Sequence, residues 1–105
     1  MTIDEAKSLL ADVPELTTRA MFGGHGLYSG GRIFAILVDD EIHLKSDAAS
    51  LDDYLAGGGE PFTYLSHNGP AQMSYYRFPD NDSLLSFVEA AIEVANRAPL
   101  PKKRK

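Results

Sequence analysis

Near the start of the chain, Ile3, Ala6, Leu9, Leu10 and Val13 recur at helical spacing and share one face. Thr2 followed by Glu5 fits a capping box, with hydroxyl and carboxylate each meeting the other residue's amide. Pro14 is expected to end this helix. From Thr17 to Phe22 the pattern is extended. Gly23, Gly24, Gly26, Gly30 and Gly31 then punctuate the chain around a short strand at Leu27 and Tyr28. Ile33 to Val38 are all apolar, mostly β-branched or aromatic, which predicts a central strand covered on both faces. Asp39-Asp40 stands where a two-residue hairpin turn belongs, and Glu41 to Lys45 alternates as a half-buried strand does.

That hairpin fixes a register. Leu37 would face Ile42 and Ala35 would face Leu44 on one apolar side. On the other side Val38 would meet Glu41, Ile36 would meet His43, and Phe34 would meet Lys45. This second side mixes large apolar and polar groups. It makes Phe34, Ile36 and Val38 candidates for a homodimer contact, against the plainer reading that the chain covers them itself.

Ser46 or Asp47 is placed to cap a second helix carrying Ala48, Leu51, Tyr54 and Leu55, and Gly57-Gly58-Gly59 stops it. Phe62 to Leu65 and Met73 to Phe78 read as two strands joined by His67-Asn68-Gly69-Pro70. Asp80 or Asp82 caps a last helix with Leu84, Phe87, Val88, Ala91, Ile92 and Ala95 on one face, ending near Arg97 before Pro99. Strands grouped between helices by short links predict an α+β domain with a mostly antiparallel sheet and helices at its N-terminus, middle and C-terminus. Residues 1–98 form that domain, and residues 99–105 are expected to be a disordered basic tail.

Composition narrows the chemistry. The 105 residues contain no cysteine, so thiolate metal sites, disulfides and cysteine nucleophiles are excluded. Four of the ten basic residues are Lys102, Lys103, Arg104 and Lys105, leaving six bases against fifteen acids in residues 1–101. Such an acidic body does not attract phosphate backbones, and only the tail offers a weak nucleic-acid contact. An acidic N-terminus without an apolar run, and no stretch near the length of a membrane span, point to the cytoplasm.

No catalytic pattern emerges. Phe22-Gly23-Gly24-His25-Gly26 lacks the Gly-Lys-Ser/Thr of a phosphate loop, and a strand follows where a helix is required. Tight turns and close backbone approach explain its glycines better. His25, His43 and His67 show no metal-ligand spacing, although neighbouring strands for His25 and His43 would leave a site open to those two. Ser74 has no evident base partner, and no Gly-x-Ser-x-Gly elbow exists. Tyr28, Tyr54, Tyr64, Tyr75 and Tyr76 suit sheet packing more than stacking on bases, given the acidic surroundings.

The order of motifs resembles the TfoX N-terminal domain family, the N-terminal half of a bacterial competence regulator. The residues that carry the resemblance begin with Arg19, Met21-Phe22-Gly23-Gly24 and Gly26-Leu27-Tyr28. Phe34-Ala35, Leu44-Lys45-Ser46-Asp47, Pro61-Phe62-Thr63-Tyr64, Met73-Ser74-Tyr75-Tyr76 and Pro79 follow. His25 and His43 stand where an aromatic is common in such relatives. The resemblance implies a fold of helix, three strands, helix, two strands, helix, and a bacterial, cytoplasmic homodimer. It supplies no catalytic residue, metal or cofactor. The expectation is a non-enzymatic regulatory or adaptor domain acting through protein contacts in transcriptional control. The alternative is a small-ligand or metal-binding protein using the glycine-rich segment with His25, His43 and Tyr28.

Overall fold

The computed structural model describes residues 2–21, 24–66 and 69–97. Its elements are α1 (Ile3–Leu9), β1 (Leu16–Met21), β2 (Gly24–Ser29), β3 (Arg32–Val38), β4 (Glu41–Lys45), α2 (Leu51–Ala56), β5 (Glu60–Ser66), β6 (Gly69–Arg77) and α3 (Asn81–Arg97). The strands form one sheet in the order β1-β2-β3-β4-β6-β5, and every neighbouring pair is antiparallel. The α+β class and the placement of the three helices are those expected. Four strands, not three, precede α2, because the extended segment after Pro14 pairs along its whole length with β2.

The helices lie on one face. Ala6 from α1 and Leu10 at its C-cap, Tyr54 from α2, and Leu84, Val88, Ala91 and Ala95 from α3 share a single core with Leu27, Ala35, Leu37, Ile42 and Leu44 of the sheet. Helix ends follow local chemistry. The capping box forms: Thr2 Oγ1 accepts from the Glu5 amide at 3.2 Å, and Glu5 Oε1 accepts from the Thr2 amide at 2.8 Å. Yet α1 stops at Leu9, short of Pro14, and turns cover the gap. Asp80 Oδ1 accepts from the Ser83 amide at 2.7 Å, and Asp80 is thus the cap that launches α3.

The hairpin register is the expected one: Ala35 pairs with Leu44, Ile36 with His43, Leu37 with Ile42 and Val38 with Glu41. Asp39 and Asp40 take φ of 54° and 63°, the left-handed pair that a primed two-residue turn demands. Gly24 is required for a different reason, since a Cβ there would lie 2.1 Å from the Leu37 carbonyl oxygen.

One residue departs from the alternation. Leu27 pairs with Ala35 but Tyr28 pairs with Ile33, so Phe34 is the extra residue of a β-bulge. The bulge turns Phe34 beside Ala35 into the helix-side core, where it is fully buried. Arg32 thereby reaches the helix side as well, and its guanidinium donates to the Ala95 carbonyl at 3.2 Å in the last turn of α3.

Candidate functional site

The helix-free face of the sheet is read from the cross-strand pairs, because directly opposed residues point the same way. Arg19, Gly26, Ile36 and His43 make one row across β1 to β4. Tyr28, paired with Thr17, and Lys45, paired with Tyr75, continue that face along the strands. Its centre is closed. Ile36 is 1% exposed, His43 3% and Tyr75 8%. Its periphery is open, with Arg19 exposed and Tyr28 and Lys45 half-buried.

Electrostatics on this face are local. Lys45 Nζ lies 5.8 Å from the centre of the Tyr75 ring, a cation–π distance. Burial, and then the nearby Tyr28 phenol, push the Tyr75 phenol above its usual range. Arg77 donates to Glu41 Oε2 at 2.9 Å and also pairs with Glu60, so its charge is spent on two carboxylates. Burial is the main influence on His43 and lowers its pKa, against the pull of Glu41 and Asp39.

Other motif residues build the scaffold. Asp47 Oδ1 accepts from the Ser50 amide and hydroxyl, both at 3.0 Å, and Arg97 grips the same carboxylate through two nitrogens. This turn precedes α2. The helix therefore starts at Leu51 with Ser50 as its cap residue, later than Ser46 or Asp47 would have placed it. Tyr54 is fully buried, and its hydroxyl donates to the Lys45 carbonyl at 2.7 Å. Its ring meets Tyr76, Phe78 and Phe87 edge-on.

Two expectations are corrected by this geometry. Phe34 and Ile36 were candidates for a homodimer contact. The bulge sends Phe34 into the helix-side core, and Ile36 is closed over within the single chain, so neither offers surface to a second copy. Val38 is half-buried. A joint site of His25 and His43 also fails. His25 pairs with Leu37 and shares the helix side, whereas His43 pairs with Ile36 on the opposite face, with β3 between them. Among the described residues no three of His, Cys, Asp and Glu are grouped to hold a metal ion. Phe22, Gly23, His67 and the tail at 99–105 lie outside the described residues, as do the side chains of Met21 and Tyr64.

An antiparallel sheet with helices on one side, and on the other a closed centre of Ile36, His43 and Tyr75 edged by Arg19, Tyr28 and Lys45, defines a small α+β domain with one helix-free sheet face. A family model for the TfoX N-terminal domain matches residues 8–95, most of the chain. The chain belongs to the TfoX N-terminal domain family, and that membership suggests a competence-related regulatory domain. No curated protein matches it. Among the described residues no helix is long and apolar enough to cross a membrane.

Proposed function

We propose that this is a non-enzymatic regulatory adaptor of the bacterial cytoplasm, acting in transcriptional control through protein contacts, with the helix-free sheet face as its working surface. One observation carries the reading. Motif residues from separate stretches of chain, Arg19, Gly26, Tyr28, Lys45 and Tyr75, come together on that face. The other motif residues Leu27, Phe34, Ala35, Leu44 and Asp47 serve the core and the helix ends instead. Folding does not need an exposed arginine and a half-buried tyrosine and lysine on an otherwise closed sheet; recognition does.

The test is made in the native host. Arg19→Glu and Lys45→Gln should leave circular dichroism and melting nearly unchanged, yet abolish both partner capture and the effect on transcription. If both variants regulate as wild type does, the sheet face is not the working surface. The homodimer belongs to this proposal, through a different surface. β1 is an edge strand, and its outer backbone amides and carbonyls are where a second copy can extend the sheet. Sedimentation of wild type against Thr18→Pro checks it: a dimer lost in the variant supports edge pairing, and a wild-type monomer throughout the micromolar range refutes it.

A further inference from the structure

The helical side carries a second surface that the motif residues do not use. An open groove of about 520 Å³ runs between the C-terminal end of α1 and the outer side of α3. Its floor is apolar: Leu9, Val13, Leu85, Val88 and Ile92. Leu85 is 41% exposed, one of two such large apolar side chains among the described residues with Leu55, and Leu9 and Ile92 are half-buried. Asp12 and Glu89 stand at its rim, and no basic residue lines it. A second cleft joins it at Leu9, and there Asp4 and Glu5 are the charged residues. The apolar floor of the first groove thus continues at Leu9 into a polar cleft lined by Asp4, Glu5, Ser8 and Asn81, and the two make one trough with carboxylates along it.

We propose that this trough docks a basic amphipathic helix of a partner protein, apolar residues down and lysine or arginine to the sides. The charge pattern selects the occupant. A second copy would bring its own Asp4, Glu5, Asp12 and Glu89 against these four. A nucleic acid or an anionic lipid surface would meet the same repulsion. A neutral apolar segment would fill the floor but leave the acids unanswered. Spacing selects a helix. Leu85, Val88 and Ile92 recur at i, i+3 and i+7 along α3, a stripe of roughly 10 Å. That matches the anchor set of a helix laid into a groove between two others. The trough and the sheet face lie on opposite sides of the sheet, so either proposal can fail without the other.

The probe is a synthetic peptide of about 14 residues, long enough for four helical turns, with leucines at i, i+3 and i+7 and lysines elsewhere. A second peptide carries glutamates in place of the lysines. Binding is followed by methyl NMR shifts of Leu9, Leu85 and Ile92 in the full chain. The lysine peptide should bind at least about tenfold more tightly than the glutamate peptide and weaken with added salt. Leu85→Ser, an exposed change that spares the fold, should weaken it about tenfold, which mere attraction to an acidic body would not. Glu89→Lys should weaken the lysine peptide and improve the glutamate peptide. Equal affinity for both peptides overturns the proposal, as does indifference to Leu85→Ser. So does stronger association of the protein with itself or with phosphatidylserine vesicles through the same methyl groups.

Discussion

Removing one oxygen atom at Tyr54 tests how the centre of the fold is joined. Tyr54→Phe keeps the ring against Tyr76, Phe78 and Phe87, at centroid distances of 6.1, 5.6 and 5.4 Å, so packing is conserved. What disappears is the 2.7 Å hydrogen bond to the Lys45 carbonyl at the end of β4. A buried acceptor left without its donor costs about 1–2 kcal/mol. At about 1.5 kcal/mol, a domain of this size should melt roughly 7 °C lower. Urea denaturation should show a lower midpoint with an unchanged slope, since no surface is newly exposed. The alkaline limb supplies an independent readout. An unfolded tyrosine loses its proton near pH 10.0, while burial holds the folded Tyr54 phenol protonated well above that. From pH 10 upward the unfolded chain therefore releases a proton that the native chain keeps, and stability falls as pH rises. Tyr54→Phe should make that fall shallower, with Tyr75, also raised by burial, supplying what remains. A variant within about 0.3 kcal/mol of wild type, a difference too small for a lost buried hydrogen bond, with the same alkaline slope would refute the reasoning.

Four further outcomes follow from the same contacts. Gly24→Ala forces a Cβ against the Leu37 carbonyl, so β2 and β3 must separate; a loss above about 2 kcal/mol is expected in denaturant melts, and a neutral result would contradict the pairing. Asp47→Ala removes a turn cap and an ion pair together and should cost about 1–2 kcal/mol, whereas Arg97→Ala, at an exposed pair, should cost under about 1 kcal/mol and become silent in high salt. His43 is expected to make stability fall as pH drops below 6.5, because the unfolded imidazole takes a proton there and the buried one does so only at lower pH; His43→Phe should flatten urea midpoints compared at pH 7 and pH 5. Asp39→Asn with Asp40→Gly suits the left-handed turn better and should raise stability by about 0.5–1 kcal/mol, read as a higher melting temperature.

The parts of the fold legible from sequence were those with a local cause. The β3–β4 register could be read because two aspartates mark the turn and Glu41 to Lys45 alternates without interruption. The stop of α2 at Gly57 follows from three consecutive glycines. The bulge was not legible, since Ile33, Phe34 and Ala35 are all apolar and one extra residue among them leaves no break in the pattern. Its consequence for Phe34 was therefore hidden too. The start of α2 was misplaced because Asp47 and Ser50 satisfy each other in a turn, competing with the helix that Asp47 alone would have capped. The convergence of Arg19, Tyr28 and Lys45 depends on pairing across four strands and has no signal at short range. The trough had a faint one: Leu85 stands beside Leu84, about 100° around α3 from the buried stripe, a large apolar residue with no place on it.

The distribution of bases gives the two faces their opposite characters. Of the six bases in residues 1–101, Arg77 and Arg97 are held by carboxylates, Arg32 by the Ala95 carbonyl and Lys45 by the Tyr75 ring. Lys7 and Arg19 make no ion pair among the described residues. Only Glu41, Glu60 and Asp47 of the fifteen acids sit in the ion pairs described, so the helical side keeps an excess of carboxylates around its trough. The sheet face instead sets Arg19 and Lys45 three strand spacings apart, roughly 14 Å, across the closed centre. A partner drawn to one face is therefore repelled by the other. On the two proposals above, such a domain holds a basic helix and an acidic or aromatic group at once, on opposite sides of one sheet. That is the arrangement an adaptor requires, and it makes a specific demand: adding salt should weaken both associations, while reversing Glu89 should weaken one and leave the other intact.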